Sequence, residues 1–219
     1  MAKQRRKTFS AACLIGTLLC GLLWQFGPIQ AVFAVVNLSD PDKLATLGER
    51  GANSRLNKIV YWMRISEERS LNPEKAIGIA QFLNRSTGAR AHLVRESLLR
   101  NLKIAHGLGL FTEENKELLR NGKAGVVTQG PYARSKVEID HIVPYSLAPE
   151  VGNELANLEM MPQPLNRSKS NRVGQRQVAH AEKLFAAGLL SKESLAKVRS
   201  RSAPLLPPND PKPRPLRRP

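Results

Sequence analysis

The chain has 219 residues, which is enough to bury the core of one ordinary domain. Its 34 Lys and Arg residues against 18 Asp and Glu residues give a formal charge of +16, which favours polyanionic partners such as nucleic acid or an anionic membrane surface. A high charge is also typical of soluble basic proteins in general. Both cysteines, Cys13 and Cys20, lie in an apolar N-terminal segment, so the rest of the chain excludes a disulfide-stabilised fold.

The first 36 residues have the three parts of an export signal: basic residues at 3, 5, 6 and 7, an apolar run from 11 to 24, and a less apolar stretch containing Pro28. Val32 and Ala34 are small residues at the correct positions for a cut before Val35. We therefore predict a signal peptide over residues 1–34 and export to the periplasm or the medium. The alternative is an uncleaved inner-membrane anchor, because residues 8–39 carry no charge and could span a bilayer. Membrane contact is expected only through this leader.

Residues 35–130 are predicted to form a helical N-terminal region, because no convincing period-two alternation occurs between Asp40 and Asn121. Helices are expected over residues 55–67, from Pro73 to Phe82, over 89–106 and from Thr112 to about Arg120. Asn72 and Thr112 are predicted N-caps of two of them.

Residues 131–200 change in character. The segments 137–142 and 157–161 have strand character, and prolines and Gly152 between them forbid a long helix. From Leu165 onward the residues suit a helix that continues, with a bend near Gly174, through Phe185. The pattern predicts two strands joined by a long loop and followed by a helix, within a mostly helical α+β protein.

The end of the chain has two further elements. Ser191 is a predicted cap for a last helix that runs to about Arg199. Residues 201–219 are rich in proline and basic residues and are predicted to be extended and disordered. This tail is interpreted as either a solubilising segment or an electrostatic arm for phosphate backbones or an anionic surface.

The strand, loop, strand and helix carry side chains suited to hydrolysis of a phosphodiester, which needs a base for water and a cation for the phosphate. His141 can be neutral and basic near neutral pH. Asp140 and Asn166 offer hard oxygen ligands, which suit Mg²⁺ or Mn²⁺ better than a structural zinc ion. Asn157 is interpreted as a brace that pins the long loop and so orients His141.

This stretch resembles the motif of the HNH endonucleases, also called the His-Me finger or ββα-metal nucleases. The resemblance rests on Asp-His-Ile-Val-Pro at 140–144, Asn-Leu sixteen positions after His141, and Asn166 nine positions further on. It implies a β-hairpin and helix around one divalent metal, with His141 as the general base and Asp140 and Asn166 as metal ligands. It also implies products with a 5′-phosphate and a 3′-hydroxyl, and Lys169 matches a frequent basic position of the motif.

Two features depart from that family. Asn166 stands where many members carry histidine, which disfavours zinc or nickel. The four-cysteine zinc site of many relatives is missing, so the helices before residue 122 and after residue 175 are expected to support the hairpin instead.

Several other residues are candidates for the site or for structural roles. Glu138 shares a strand face with Asp140. It is interpreted as an extra metal ligand, as a carboxyl group that hydrogen-bonds to a metal ligand, or as a solvated carboxylate. Arg167, Arg172 and Arg176 could form a basic stripe along the helix that, with Lys169, binds nucleic acid. His92, His106 and His180 are interpreted as surface or boundary residues.

The expected function is endonucleolytic cleavage of nucleic acid, with DNA favoured over RNA. Two alternatives remain open: a catalytically inactive nucleic-acid-binding protein that retains the ββα fold, and a basic protein anchored in the cell envelope.

Overall fold

The computed structural model describes residues 27–202. The predicted tail beyond Ser202, both cysteines and most of the predicted leader lie outside the described residues. Helices account for 62% of the structure and the sheet has two strands, which confirms the predicted mostly helical α+β class. The helices are α1 (Gly27–Leu38), α2 (Pro41–Ala45), α3 (Gly51–Glu68), α4 (Pro73–Leu83), α5 (Gly88–Gly107), α6 (Glu113–Arg120), α7 (Gln163–Lys169), α8 (Gln175–Ala186) and α9 (Lys192–Arg201).

The two strands are β1 (Val137–His141) and β2 (Leu158–Pro162), which pair antiparallel with Val137 opposite Pro162 and His141 opposite Leu158. The long loop between them contains two short 3₁₀ turns, Pro149–Val151 and Leu155–Asn157. Helix α7 begins directly after β2, so the predicted order of strand, loop, strand and helix is observed.

Side-chain caps begin three of the helices where the sequence predicted them. Asn72 accepts a hydrogen bond from the Glu74 amide at 2.7 Å, and Thr112 accepts one from Asn115 at 3.3 Å. The Ser191 hydroxyl accepts one from the Ser194 amide at 3.1 Å at the start of α9. Each cap satisfies an amide that has no partner inside its own helix.

Helix α5 holds the sheet against the helical body. The buried amide of Asn101 accepts from the Met160 N–H at 2.7 Å and donates to the Leu158 carbonyl at 3.0 Å. The Ser97 hydroxyl donates to the Leu155 carbonyl at 2.7 Å. These bonds satisfy the outer edge of β2, so the two-stranded sheet is a fixed part of the body.

Two clusters of apolar side chains form the core. The larger one joins α1, α3, α5 and α6 to both strands, and includes Leu56, Met63, Leu98, Val137 and Leu158. The smaller one packs the loop between the strands against α8 and α9. Because the larger cluster crosses residue 130, the predicted helical region and the predicted site region share one core.

Helix α1 spans the predicted cut before Val35. Ala31 and Val35 are both 0% exposed, and Val35 belongs to the larger core cluster. The Asn84 side chain donates to the Val36 carbonyl at 2.9 Å. A cut before Val35 would leave only the last four residues of α1 on the body. Among residues 27–202 no helix combines the length and the apolar character needed to cross a bilayer.

Candidate active site

Glu138 and Asp140 lie on one face of β1, as period-two alternation requires, and both contact α7. Asn166 Nδ2 donates to Glu138 Oε2 at 2.8 Å, and Gln163 Nε2 donates to Glu138 Oε1 at 2.7 Å. Lys169 forms an ion pair with Asp140. The face of β1 that carries the two carboxylates is therefore joined to α7 by side-chain contacts along its length.

The carboxyl group of Glu138 is held in its charged form. Burial alone would raise its pKa, but the hydrogen bonds from Gln163 and Asn166 and the charge of Arg167 lower the pKa below its ordinary value. Because the Asn166 amide nitrogen is directed to Glu138, the Asn166 Oδ1 atom has no hydrogen-bond partner among residues 27–202 and can bind another group.

His141 ends β1 and is only 8% exposed. Its Nε2 atom lies 2.9 Å from the Gly152 carbonyl oxygen, which can only accept, so Nε2 carries the proton and Nδ1 is the basic nitrogen of the neutral ring. Burial lowers the pKa of His141, the Gly152 hydrogen bond and Asp140 act to raise it, and the charges of Arg50 and Lys169 lower it; the net direction is down. The ring is therefore neutral at neutral pH.

Gly152 fits closely beside the histidine. A Cβ atom at this position would lie 2.5 Å from Cε2 of Tyr145, whose ring is 5.7 Å from the His141 ring between centroids. No larger residue fits at position 152 without moving Tyr145, so the carbonyl that orients His141 depends on a glycine.

The amide of Asn157 joins the two ends of the loop between the strands. It is fully buried, accepts from the Val143 N–H at 2.8 Å and donates to the Val143 carbonyl at 3.1 Å. Lys169 adds a second tie, since its ammonium donates to the His141 carbonyl at 2.7 Å. The backbone at His141 and just after it is thus fixed by side-chain hydrogen bonds.

Asn153 connects the same loop to the start of α3. Its Oδ1 atom accepts from the Ala52 N–H at 3.1 Å, and its Nδ2 atom donates to the carbonyls of Leu47 and Gly48 at 3.1 and 2.9 Å. Arg50 lies within this turn, in the left-handed region with φ 58°. The loop that orients His141 therefore also fixes the position of Arg50.

A cavity of about 330 Å³ opens between β1, α7 and this turn. It brings together Asp140, His141, Asn166 and Arg167, which lie up to 27 residues apart in sequence. Its other lining residues are Arg50, Ile139, Pro144, Tyr145, Ser170 and Asn171. An imidazole, a carboxylate and a side-chain amide thus border one cavity together with two basic side chains.

The oxygen atoms in this cavity fit a hard divalent cation. Asp140 offers a carboxylate and Asn166 an amide oxygen, and sulfur ligands are absent from the set, which suits Mg²⁺ or Mn²⁺. Within residues 27–202 no group of three His, Cys, Asp or Glu side chains comes together, so the remaining coordination positions would be filled by water and substrate oxygen.

The prediction that Arg167, Arg172 and Arg176 form a basic stripe along one helix is wrong, because α7 ends at Lys169. Ser170 adopts φ 48° and reverses the chain, and α8 begins only at Gln175. Arg172 contacts Ser168 and the Lys169 carbonyl beside a separate cavity, and Arg176 forms an ion pair with Glu159. Among Arg167, Lys169, Arg172 and Arg176, only Arg167 lines the cavity of His141. Lys169 instead contacts Asp140 and the His141 carbonyl.

Tyr145 and Arg50 are two of the lining residues that the sequence did not indicate. Tyr145 lies in the loop between the strands, and no sequence pattern indicated that it would face the cavity. Arg50 is 90 positions before Asp140, and its place at the cavity depends on the Asn153 hydrogen bonds. The Gly48-Glu49-Arg50-Gly51 turn was the one available signal, since it interrupts the helical pattern there.

Comparisons of the chain with known protein families, with curated proteins and with solved structures found no match in any of the three.

Proposed function

We propose that this protein is a metal-dependent endonuclease of the HNH type that hydrolyses phosphodiester bonds, with DNA as the expected substrate. One observation carries the proposal: Asp140, His141 and Asn166 border a single cavity between a β-hairpin and the helix that follows it. The strand, loop, strand and helix and the spacing of these three side chains support it together.

His141 is proposed as the general base. Its Nδ1 atom is unprotonated in the neutral ring, and its lowered pKa keeps the ring neutral at neutral pH. A base in this state can accept a proton from water at the scissile phosphate, and general bases contribute about 10²–10⁴-fold to such reactions. Asn157 and Gly152 hold the ring so that Nδ1 keeps one direction.

Asp140 and Asn166 are proposed to hold the divalent ion, Mg²⁺ or Mn²⁺. When bound, the ion would supply positive charge to the phosphate and the leaving oxygen. Glu138 is proposed to orient Asn166, because its carboxylate accepts from Asn166 Nδ2 and so directs Oδ1 away. Lys169 would give up part of its ion pair with Asp140 and would keep its hydrogen bonds to the His141 and Ile142 carbonyls.

Arg167 and Arg50, which both line the cavity, are proposed to bind substrate phosphate. Both are exposed, and a guanidinium presents paired donors that match phosphate oxygens. Arg172 and Arg176 remain candidates for backbone contacts further along the nucleic acid.

A second candidate function is nucleic-acid binding without cleavage. The observation that favours it is the ion pair between Lys169 and Asp140, which places a protein cation beside the carboxylate that the metal needs. In that case Asp140 would serve only to position Lys169 and the loop.

A cleavage assay separates the two candidates. The protein is incubated with supercoiled plasmid and with labelled RNA in Mg²⁺, in Mn²⁺ and in EDTA, beside His141→Ala and the control His92→Gln, whose side chain is exposed and distant. The endonuclease proposal expects nicking with metal, none in EDTA, and a loss of about 10²-fold or more in His141→Ala. Equal activity in wild type and His141→Ala would reject it, and binding without cleavage in every metal would favour the second candidate.

A further inference from the structure

The cavity beside Arg172 has a volume of about 430 Å³ and adjoins the cavity that contains His141. Four residues of the connection between α7 and α8 and the last residue of α9 line it: Ser170, Asn171, Arg172, Val173 and Arg201. Ser170 and Asn171 also line the cavity of His141. The two cavities therefore meet at these two residues, and a chain molecule bound in one can continue into the other.

The fold fixes Arg172 and Arg201 at this cavity from two separate parts of the sequence. Val173 is 5% exposed and belongs to the smaller core cluster, so the connection between the helices is anchored beside Arg172. A parallel β-bridge joins Val173 to Ser202, the residue that follows α9. Because this bridge holds the end of α9 against the connection, the two arginines border one cavity.

The charges of these two arginines are not compensated by neighbouring acids. Both side chains are exposed, and neither forms an ion pair with an acidic residue among residues 27–202. The five residues that line the cavity include no Asp or Glu. By contrast, Arg176 pairs with Glu159, and Arg199 pairs with Glu182 at 2.8 Å. The cavity therefore suits an anion.

The guanidinium of Arg172 is partly oriented by the end of α7. Its Nε atom donates to the Lys169 carbonyl at 3.2 Å, and its Nη2 atom donates to the Ser168 hydroxyl at 3.4 Å. A guanidinium has five N–H donors, so three remain for a ligand. Paired donors of this kind match the oxygens of a phosphate group.

The position of the cavity favours nucleic acid as the source of that phosphate. Lipid headgroups and nucleic-acid strands both carry phosphate diesters. Only a strand presents phosphates at regular intervals, so that one can lie beside His141 while the next lies between Arg172 and Arg201. The residues shared by the two cavities provide the continuous surface that such a strand requires.

We propose that Arg172 and Arg201 form a phosphate subsite that binds the cleaved strand on one side of the scissile phosphate. The inference rests on the proposed nuclease function and assigns the path that the strand takes away from His141. The strand would pass over Ser170 and Asn171, and a neighbouring phosphate would lie between the two guanidinium groups. Substrates that end at the scissile phosphate on this side would lack the contact.

The first test measures binding without cleavage. Binding of labelled duplex DNA to the full-length protein in EDTA is followed by fluorescence anisotropy at several salt concentrations, for wild type, Arg172→Gln, Arg201→Gln and Lys192→Gln. The first two variants are expected to bind several-fold more weakly at low salt, with the slope of log affinity against log salt reduced by about 0.9 for the lost phosphate contact. Lys192→Gln is the matched control, because it removes one exposed charge at the other end of α9.

The control variant and lipid vesicles decide between a subsite and other roles of the same charges. Equal slopes in all four proteins, or an equal reduction in Lys192→Gln, would overturn the subsite. So would a loss of binding to vesicles that contain phosphatidylglycerol with unchanged binding to DNA, which would assign the two arginines to a membrane surface. Thermal melting checks the fold, and either arginine variant decides the question if the other is unfolded.

A second test separates the subsite from the nuclease function. DNA with one uncharged methylphosphonate linkage at a defined position is partially digested in Mg²⁺, and the cuts are mapped. The subsite predicts that cleavage is suppressed at a linkage on one side of the modification, and that Arg172→Gln and Arg201→Gln remove this suppression while Lys192→Gln keeps it. Cleavage in which both arginine variants keep the wild-type pattern rejects the subsite and leaves the nuclease proposal standing. Absence of cleavage rejects the nuclease proposal, and the salt titrations then decide the subsite alone.

Discussion

Asn157 closes the loop that holds His141. We expect Asn157→Ala to lower the free energy of unfolding by about 2–4 kcal/mol, because it leaves both the N–H and the carbonyl of Val143 without their buried partner. Cleavage should fall as well, since the loop no longer fixes the ring. Urea unfolding and plasmid nicking measure the two effects. The exposed Asn37→Ala serves as control, and a fully stable Asn157→Ala protein would show that the amide does not brace the loop.

At the scale of residues, the sequence predicted the side chains that lie close to one another along the hairpin and α7. Asp140, His141 and Asn166 were chosen from their spacing, and they border one cavity. The position of Arg50 at the cavity could not be predicted from the sequence, because it is set by hydrogen bonds from Asn153 that join segments about 100 residues apart. Lys169 was assigned to phosphate, whereas its ammonium contacts Asp140 and the His141 carbonyl.

At the scale of elements, capping residues and prolines in the sequence predicted the starts of the helices and the positions of the two strands within a few residues. These signals are local, so one sequence is enough to read them. The end of α7 was not predicted, because Ser170 adopts a left-handed conformation and no glycine at this position indicates it in the sequence. The helical role of α1 was missed because its apolar composition also fits a leader.

Helix α1 gives the clearest test of an element. A chain that begins at Gly27 should be more stable than one that begins at Val35 by about 2–4 kcal/mol, because the shorter chain loses the buried side chains of Ala31 and Val32. Chemical unfolding of the two chains measures the difference. Equal stability would mean that the first half of α1 adds nothing to the body, which would agree with a signal peptide cut before Val35.

Helix α8 carries a histidine that should make the fold sensitive to acid. Burial lowers the pKa of His180 to about 4, with the charges of Arg100, Lys183 and Arg176 acting in the same direction and the Ala156 backbone opposing them. The unfolded chain binds this proton near pH 6.5, so the stabilising contribution is full above about pH 6.5 and is lost as the pH falls toward 4. The difference amounts to roughly 3 kcal/mol at most.

Replacement of His180 isolates this contribution. His180→Gln cannot take up the proton, so its unfolding free energy should fall less between pH 7 and pH 4.5 than that of wild type. The exposed His92→Gln should follow wild type, and urea unfolding at several pH values measures all three. A His180→Gln protein with the wild-type dependence on pH would contradict the expected role of this residue.

At the scale of the whole molecule, the formal charge of +16 should make nucleic-acid binding sensitive to salt. Residues 202–219 contain four Lys and Arg residues, at positions 212, 214, 217 and 218. Their removal should weaken DNA binding several-fold at low salt and reduce the slope of log affinity against log salt. Fluorescence anisotropy measures both. An unchanged slope would identify the tail as a solubilising segment.

The central claim is that Asp140 and Asn166 hold one divalent ion while His141 acts as a base beside it. Titration of Mn²⁺ followed by electron paramagnetic resonance tests it most directly, in wild type, Asp140→Ala, Asn166→Ala and His141→Ala. The account predicts one Mn²⁺ ion for wild type and for His141→Ala, and binding weakened by at least about ten-fold in the other two variants. Equal Mn²⁺ binding by wild type and Asp140→Ala, or no binding by any of the four proteins, would contradict it.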